Sequence, residues 1–172
     1  METKSETVDT IRRPIRGPQA PPMKQIKPAG ITSGSQITSS PTAVVYCEGN
    51  FAQIDGKTAN GLVRHSQAYR ILSVIDTTYS GQDSGSVLDD AINHIPIFED
   101  LKAAVAHEAI IPDTLIYGMA PSTGRLSKAD RGVVLQAIKL GMNIVSGLHE
   151  YLSDDHEIAK AASERNVTIR DI

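Results

Sequence analysis

At 172 residues, 40% of them hydrophobic and 22% charged, the chain has room for one domain built of a sheet and covering helices. Its charge is uneven: Lys4, Arg12, Arg13, Arg16, Lys24 and Lys27 outweigh Glu2, Glu6 and Asp9, so the formal net charge of −3 combines +3 at the N-terminus with −6 in the body. An acidic body without a basic stripe excludes nucleic acid and an anionic membrane as main partners. The single cysteine, Cys47, excludes an intrachain disulfide and fits a reducing, cytoplasmic setting.

Residues 1–41 hold six of the nine prolines and end in the polar run "GITSGSQITSS" followed by Pro41. Such a segment cannot bury enough apolar area to offset the entropy of ordering, so it reads as a disordered, flexible tail. Its first 30 residues lack the apolar stretch of a secretory signal, and no apolar run anywhere approaches the roughly 20 residues of a membrane span.

From Thr42 the pattern changes to short apolar runs alternating with helical periods, which predicts an α/β domain over residues 42–172: a Rossmann-like, three-layer fold with a mainly parallel sheet. "AVVYCEG" (43–49) is a buried strand, and Asp55 is placed to cap a helix running to about Ser66. "RILSVID" (70–76) is the next strand, and "TTYSGQDSGS" after it reads as a loop. "IPIF" (95–98) is a short strand entering a helix whose Leu101, Ala104 and Val105 make one apolar stripe. After the strand "TLIYGMA" (114–120), Ser127 and Asp130 form a capping box for a helix with Val133, Val134, Ala137 and Ile138 inward, stopped by Gly141. "NIVSGL" (143–148) is a further strand. Ser153 is then placed to cap a helix with Ile158, Ala161 and Ala162 inward, Asn166 ends it, and "TIRDI" is the last strand.

The stretch "EGNFAQIDGKTANGLVRHS" contains a Gly-Lys-Thr after an apolar run, but it is not a P-loop. Six residues, Asn50 to Asp55, separate Gly49 from Gly56 where a P-loop needs four, and Phe51 stands where its first glycine belongs. In an open parallel sheet the ligand crevice lies beyond the carboxyl ends of the strands, so the residues that follow each apolar run carry the chemistry. Gly49 permits close backbone approach. Lys57 and Thr58 add a cation and a hydroxyl at a helix start, facing phosphate or carboxylate, or else a solvated surface. Asp76 ends the second strand, where dinucleotide-binding domains place the acid that holds ribose, or where an acid simply caps a loop; the G-x-G-x-x-G fingerprint of a nicotinamide enzyme is absent. "GMAPSTGRLS" presents Ser122, Thr123 and Arg125 on a loop shaped by Pro121 and Gly124, a set suited to binding carboxylate or phosphate. His149 and Glu150 follow a strand directly and suit proton transfer or substrate contact. The histidines make no metal site, because a helix cap at Ser153 separates His149 from His156.

Four segments, "GKTANGLVR", "VIDTTYSGQDSG", "GMAPSTGRL" and "GMNIVSGLHEYLSDD", closely resemble the N-terminal domain of the DgcN-like D-glutamate N-acetyltransferases, a family long known only as a domain of unknown function. The resemblance covers roughly residues 42–172. It implies a Rossmann-like domain followed in the full-length proteins by a larger P-loop domain, and transfer of acetyl from acetyl-CoA, a co-substrate and not a tightly bound cofactor, to the amino group of D-glutamate. On that reading Arg125 meets a substrate carboxylate or a CoA phosphate, Lys57 and Thr58 meet phosphate, and His149 or Glu150 is the base. The C-terminal P-loop domain would act in cis or in trans, homo-oligomers are possible, and the isolated domain is expected to be inactive. The alternative is a ligand-binding or assembly module without catalysis.

Overall fold

The computed structural model describes residues 40–172, and the expectation of a disordered tail lies outside them. Six strands form one sheet: β1 (Thr42–Tyr46), β2 (Arg70–Ile75), β3 (Ile97–Phe98), β4 (Thr114–Tyr117), β5 (Asn143–Ser146) and β6 (Ile169–Asp171). Five helices connect them: α1 (Lys57–His65), α2 (Ser84–Asp89), α3 (Leu101–Glu108), α4 (Lys128–Lys139) and α5 (His156–Arg165). The strand order is β3-β2-β1-β4-β5-β6 and every pairing is parallel. The parallel, Rossmann-like sheet is the one expected from the sequence pattern; its order is doubly wound, and the chain reverses its direction of travel across the sheet between β1 and β4.

The central strands are near-continuous apolar runs because both faces of a parallel sheet are covered. Val44, Val45, Leu115, Tyr117 and Ile144 are buried, and Val134, Ala137 and Ile138 of α4 and Ile158 of α5 meet the same core. Each Val or Ile buried in this way contributes on the order of 1.5–3 kcal/mol. α1 lies beside α2, and α4 beside α5. At the amino end of the sheet, Thr42 N–H donates to Asp113 Oδ2 at 2.7 Å while Asp113 N–H donates to Thr42 Oγ1 at 2.9 Å, tying β1 to β4. Among the described residues, no helix is long and apolar enough to cross a membrane.

Several local expectations need correction. Asp55 does not cap α1: it sits inside a 3-10 turn, Ile54–Gly56, and the cap position falls to Gly56 without a side-chain bond. Ser153 does not cap α5 either. It lies in the 3-10 turn Leu152–Asp154, and Asp155 is the cap, accepting from Glu157 N–H and Ile158 N–H at 3.0 Å each. The Gly- and Ser-rich stretch after β2 contains the start of α2, because Asp83 accepts from Gly85 N–H and Ser86 N–H and nucleates a turn there. Strand β3 is only two residues long, since Pro96 has no N–H and can offer the neighbouring strand only its carbonyl, which accepts from Val74 N–H. By contrast the capping box at Ser127 and Asp130 forms as read, Gly141 follows α4 at φ 86°, and Asn166 ends α5 in the left-handed region at φ 54°.

Candidate functional site

Two loops at the carboxyl end of the sheet form an open groove of about 670 Å³, lined by Thr123, Gly124 and Arg125 after β4 and by His149, Glu150, Tyr151, Asp154 and Asp155 after β5. The β4–α4 loop is fixed at its far end by the α4 cap, and Gly124 occupies the left-handed region at φ 64°. A side chain at Gly124 would begin 2.8 Å from His149 Cδ2, so the absence of one is what lets the imidazole lie against this turn. Glu150 N–H donates to Gly124 carbonyl at 3.3 Å and joins the two loops directly. Beneath them Leu148 and Leu152 are buried anchors, and Asp171 at the end of β6 accepts from Leu152 N–H and Ser153 N–H at 3.0 and 3.1 Å.

The groove's acids differ in what they can do. Asp155 caps α5 and also accepts from both terminal guanidinium nitrogens of Arg131 at 2.5 and 2.6 Å. Arg131, together with the two backbone donors, holds the Asp155 carboxyl down at about 2. Near neutral pH it is an ionised structural acid. No comparable partner engages the side chains of Arg125, His149, Glu150 or Asp154 among the described residues, and Arg125 and His149 are exposed. One guanidinium, one imidazole and two carboxylates therefore face the groove with their hydrogen-bonding capacity open. That set can bind a molecule carrying both a carboxylate and an ammonium group.

A buried polar cluster that periodicity alone did not reveal ties the carboxyl ends of β1 and β4 to the first turn of α4. Tyr46 and Tyr117 are register partners on β1 and β4, and both hydroxyls donate to Asp130, at 2.7 and 2.9 Å. Asp130 is the same residue that completes the α4 capping box. Burial pushes both phenols well above their usual range, followed for Tyr46 by the hydrogen bond to Asp130 and for Tyr117 by the charge of Asp130, so they stay protonated donors. The signal available in the sequence was that each tyrosine is the last strand residue before a short loop.

The residues expected to converge do not all meet. Gly124, Arg125, His149 and Glu150 share the groove. Ser122 is exposed on the same loop but does not line it. Gly49 is exposed in a turn after β1 at φ 66°, and Lys57 and Thr58 are exposed at the start of α1, away from the groove-lining set. Asp76 is fully buried, its carboxylate taken by Phe51 N–H at 3.0 Å and Thr78 N–H at 2.8 Å, so it caps a loop. Cys47, also buried, has its thiol pushed up to about 12 by desolvation first and then by the charges of Asp76 and Glu48, which leaves it unreactive near neutrality. Among the described residues, no group of three or more His, Cys, Asp or Glu side chains is placed to share a metal ion.

Comparison with known proteins follows the same outline. The family described as a Rossmann-like domain of unknown function, DUF1611_N, matches residues 77–172. A D-glutamate N-acetyltransferase from Pseudoalteromonas sp. is 32% identical over 89 residues, which is 52% of this chain and 25% of that protein. A second D-glutamate N-acetyltransferase, from Tritonibacter scottomollicae, is 34% identical over 74 residues, 43% of this chain and 20% of that protein. The chain thus matches about a quarter or less of the length of these relatives. A crystal structure of a DUF1611 family protein from Anabaena variabilis superimposes with a TM-score of 0.67 at 25% identity, covering 77% of this chain and 36% of the other.

Proposed function

Because the chain belongs to the DUF1611_N family of Rossmann-like domains, we propose that it is the substrate-holding part of a D-glutamate N-acetyltransferase-like protein, with the groove between the β4–α4 and β5–α5 loops as the place where the amino acid sits. The observation that carries this reading is the groove itself, with Arg125 from one loop and His149 and Glu150 from the other, all unpartnered among the described residues. It is supported by the name that both partial relatives share. Arg125 takes a carboxylate of D-glutamate through its planar fork of donors. Glu150 and Asp154 attract the ammonium, and His149 or Glu150 removes one of its protons. The freed amine then attacks the thioester carbonyl of acetyl-CoA, the C–S bond breaks, and the departing thiolate takes up a proton.

An open groove leaves those groups in water, where oriented charges are worth far less than in a closed site. Closure and the acetyl donor are assigned to a C-terminal P-loop domain, supplied in cis or in trans. The test is product formation from acetyl-CoA and D-glutamate by purified residues 1–172, alone and mixed with the remaining part of the Pseudoalteromonas relative. No turnover alone and turnover on mixing support the proposal. Turnover by the isolated chain would mean that the site is complete here. D-glutamate binding with no turnover in either case favours a ligand-binding or assembly module, for which the same unpartnered side chains would suffice.

A further inference from the structure

Rossmann-like folds are expected to take a dinucleotide at the point where the strand order reverses, with phosphate on the β1–α1 turn and ribose on the acid after β2. Here that point lies between β1 and β4. We infer that the β1–α1 loop is itself the permanent occupant of this crevice, so that the domain takes no NAD or NADP and uses the loop as a brace for the groove on its other side.

The donors that would face a pyrophosphate are turned inward. Asn50 N–H goes to Cys47 carbonyl at 3.0 Å, Gln53 N–H to Asn50 carbonyl at 2.9 Å and Gly56 N–H to Gln53 carbonyl at 3.1 Å. Phe51 N–H goes to the Asp76 carboxylate, and the Phe51 ring is fully buried. Asp76 is therefore removed from any ribose, and the neighbouring acid Glu48 is taken up by Thr77, through its N–H at 3.0 Å and its hydroxyl. At Gly56, the cap position of α1, an added Cβ would lie 2.1 Å from Asn50 carbonyl oxygen and 2.9 Å from that of Phe51. Two acceptors thus sit over the helix start where a phosphate needs donors, and a phosphate brought there would meet oxygen against oxygen.

The crevice is also stitched across. Ala59 N–H donates to Gly118 carbonyl and Ala120 N–H to Asp55 carbonyl, both at 2.9 Å, bridging the loop after β1 to the loop after β4. Asn50 Nδ2 adds a contact to Met119 Sδ at 3.3 Å. A Cβ on Gly118 would stand 2.5 Å from Val45 Cγ1 and 3.0 Å from Ala59 Cβ, so α1 is seated directly on the end of β4. These bonds fix Met119 and Ala120, the root of the loop that carries Arg125. The inference does not depend on the identity of the amino acid in the groove.

The experiment is amide hydrogen exchange and fluorescence on the full chain. In the wild type, the Phe51 and Ala120 amides exchange as slowly as those of β1 and β4, and titration with NADH or NADPH gives no saturable change in emission. In Asp76→Ala, the amides of Phe51 and Thr78 lose protection and the Ala120 and Gly124 resonances move, while β5 amides keep theirs. Asp76→Asn is the second variant should the alanine fail to fold: it still offers one acceptor oxygen, and the loss is confined to one of the two amides. Saturable binding of NADH or NADPH tighter than about 100 μM with shifts at residues 49–58 would overturn the inference. So would a Phe51 amide that exchanges as fast as that of a surface loop.

Discussion

The loop after β1 and the loop after β4 begin at the same level of the same sheet, and both are short on regular structure and rich in polar groups. In the first, backbone donors are engaged with the loop's own carbonyls or, at Phe51, with Asp76 at the end of β2, and Glu48 is taken up by Thr77 of the segment after β2. In the second, beyond the Asn50 contact to Met119 at its root, the side-chain bonds before the helix cap are weak ones at Thr123, at 3.3 and 3.4 Å, and Arg125 is exposed and unpartnered among the described residues. The difference teaches that, in a fold whose ligand position is usually read from topology, the position open to a ligand is set by which polar groups are left unsatisfied. A buried polar group without a partner costs on the order of 1–3 kcal/mol, so donors that stay inside must find one, while donors at an open rim can wait for a ligand.

The largest expected effect comes from removing what both loops stand on. Asp130→Ala leaves the hydroxyls of Tyr46 and Tyr117 buried without an acceptor and removes half of the α4 capping box. We expect a loss of about 3–5 kcal/mol in urea unfolding. A loss under about 1 kcal/mol would show that water or a rearranged hydroxyl replaces the carboxylate, and that Asp130 does not tie the two strand ends to α4 in the way described.

Much of this molecule was legible from residue order, and the failures have a common cause. The parallel sheet, the capping box at Ser127 and the stop at Asn166 follow from local periodicity and local hydrogen bonding, which act over three to five residues. The expected caps at Asp55 and Ser153 fail because a 3-10 turn precedes each helix and shifts its start by one or more residues, so that Asp155 becomes the cap of α5. The division of the strand-end residues into engaged and open sets was out of reach. Asp76 bonds across 25 residues and Tyr46 to Asp130 across 84, and such pairings depend on strand order and register. The sequence placed Asp76, Arg125 and His149 all at carboxyl ends, which is where they are, but distance along the chain carries no information about which are already bonded.

A smaller effect tests the closed loop. Gly56→Ala introduces a methyl that must displace backbone carbonyls, and we expect about 1–3 kcal/mol of destabilisation with loss of the Ala120 amide's protection. Gly61→Ala in the middle of α1, where nothing lies within 4 Å, is its control and should stabilise by up to about 1 kcal/mol. If both glycines respond alike, the effect belongs to helix propensity and not to the loop packed on the helix start.

Next in size is Arg131→Ala, which removes the clamp on Asp155 beside the groove. Both side chains are partly in water, so the loss should be about 1 kcal/mol near neutral pH. Its pH dependence is the sharper reading. The folded-state carboxyl of Asp155 lies at about 2, below its ordinary value of 3.8, so its stabilising contribution is present above that ordinary value and disappears as pH falls towards 2. Wild-type and variant stabilities should differ above about pH 4 and converge near pH 2. Curves that stay parallel throughout would mean that Arg131 stabilises by packing its stem alone.

The smallest effect on stability should fall at the residue with the largest consequence for binding. Arg125 is exposed and its guanidinium has no partner among the described residues, so Arg125→Ala should leave unfolding within about 0.5 kcal/mol of wild type. In contrast, D-glutamate binding followed by NMR shifts of Gly124 and His149 should weaken at least about tenfold, because a carboxylate loses the guanidinium that lines the groove. Arg125→Lys keeps the charge and loses the paired, planar donors, and should fall between the two. Lys57→Ala removes a cation from the closed loop's side of the sheet and should leave this binding unchanged, since Lys57 does not line the groove. Equal weakening by Lys57→Ala and Arg125→Ala would mean that long-range charge, and not a carboxylate seated at the rim, governs the interaction, and the contrast between the two loops would lose its functional meaning.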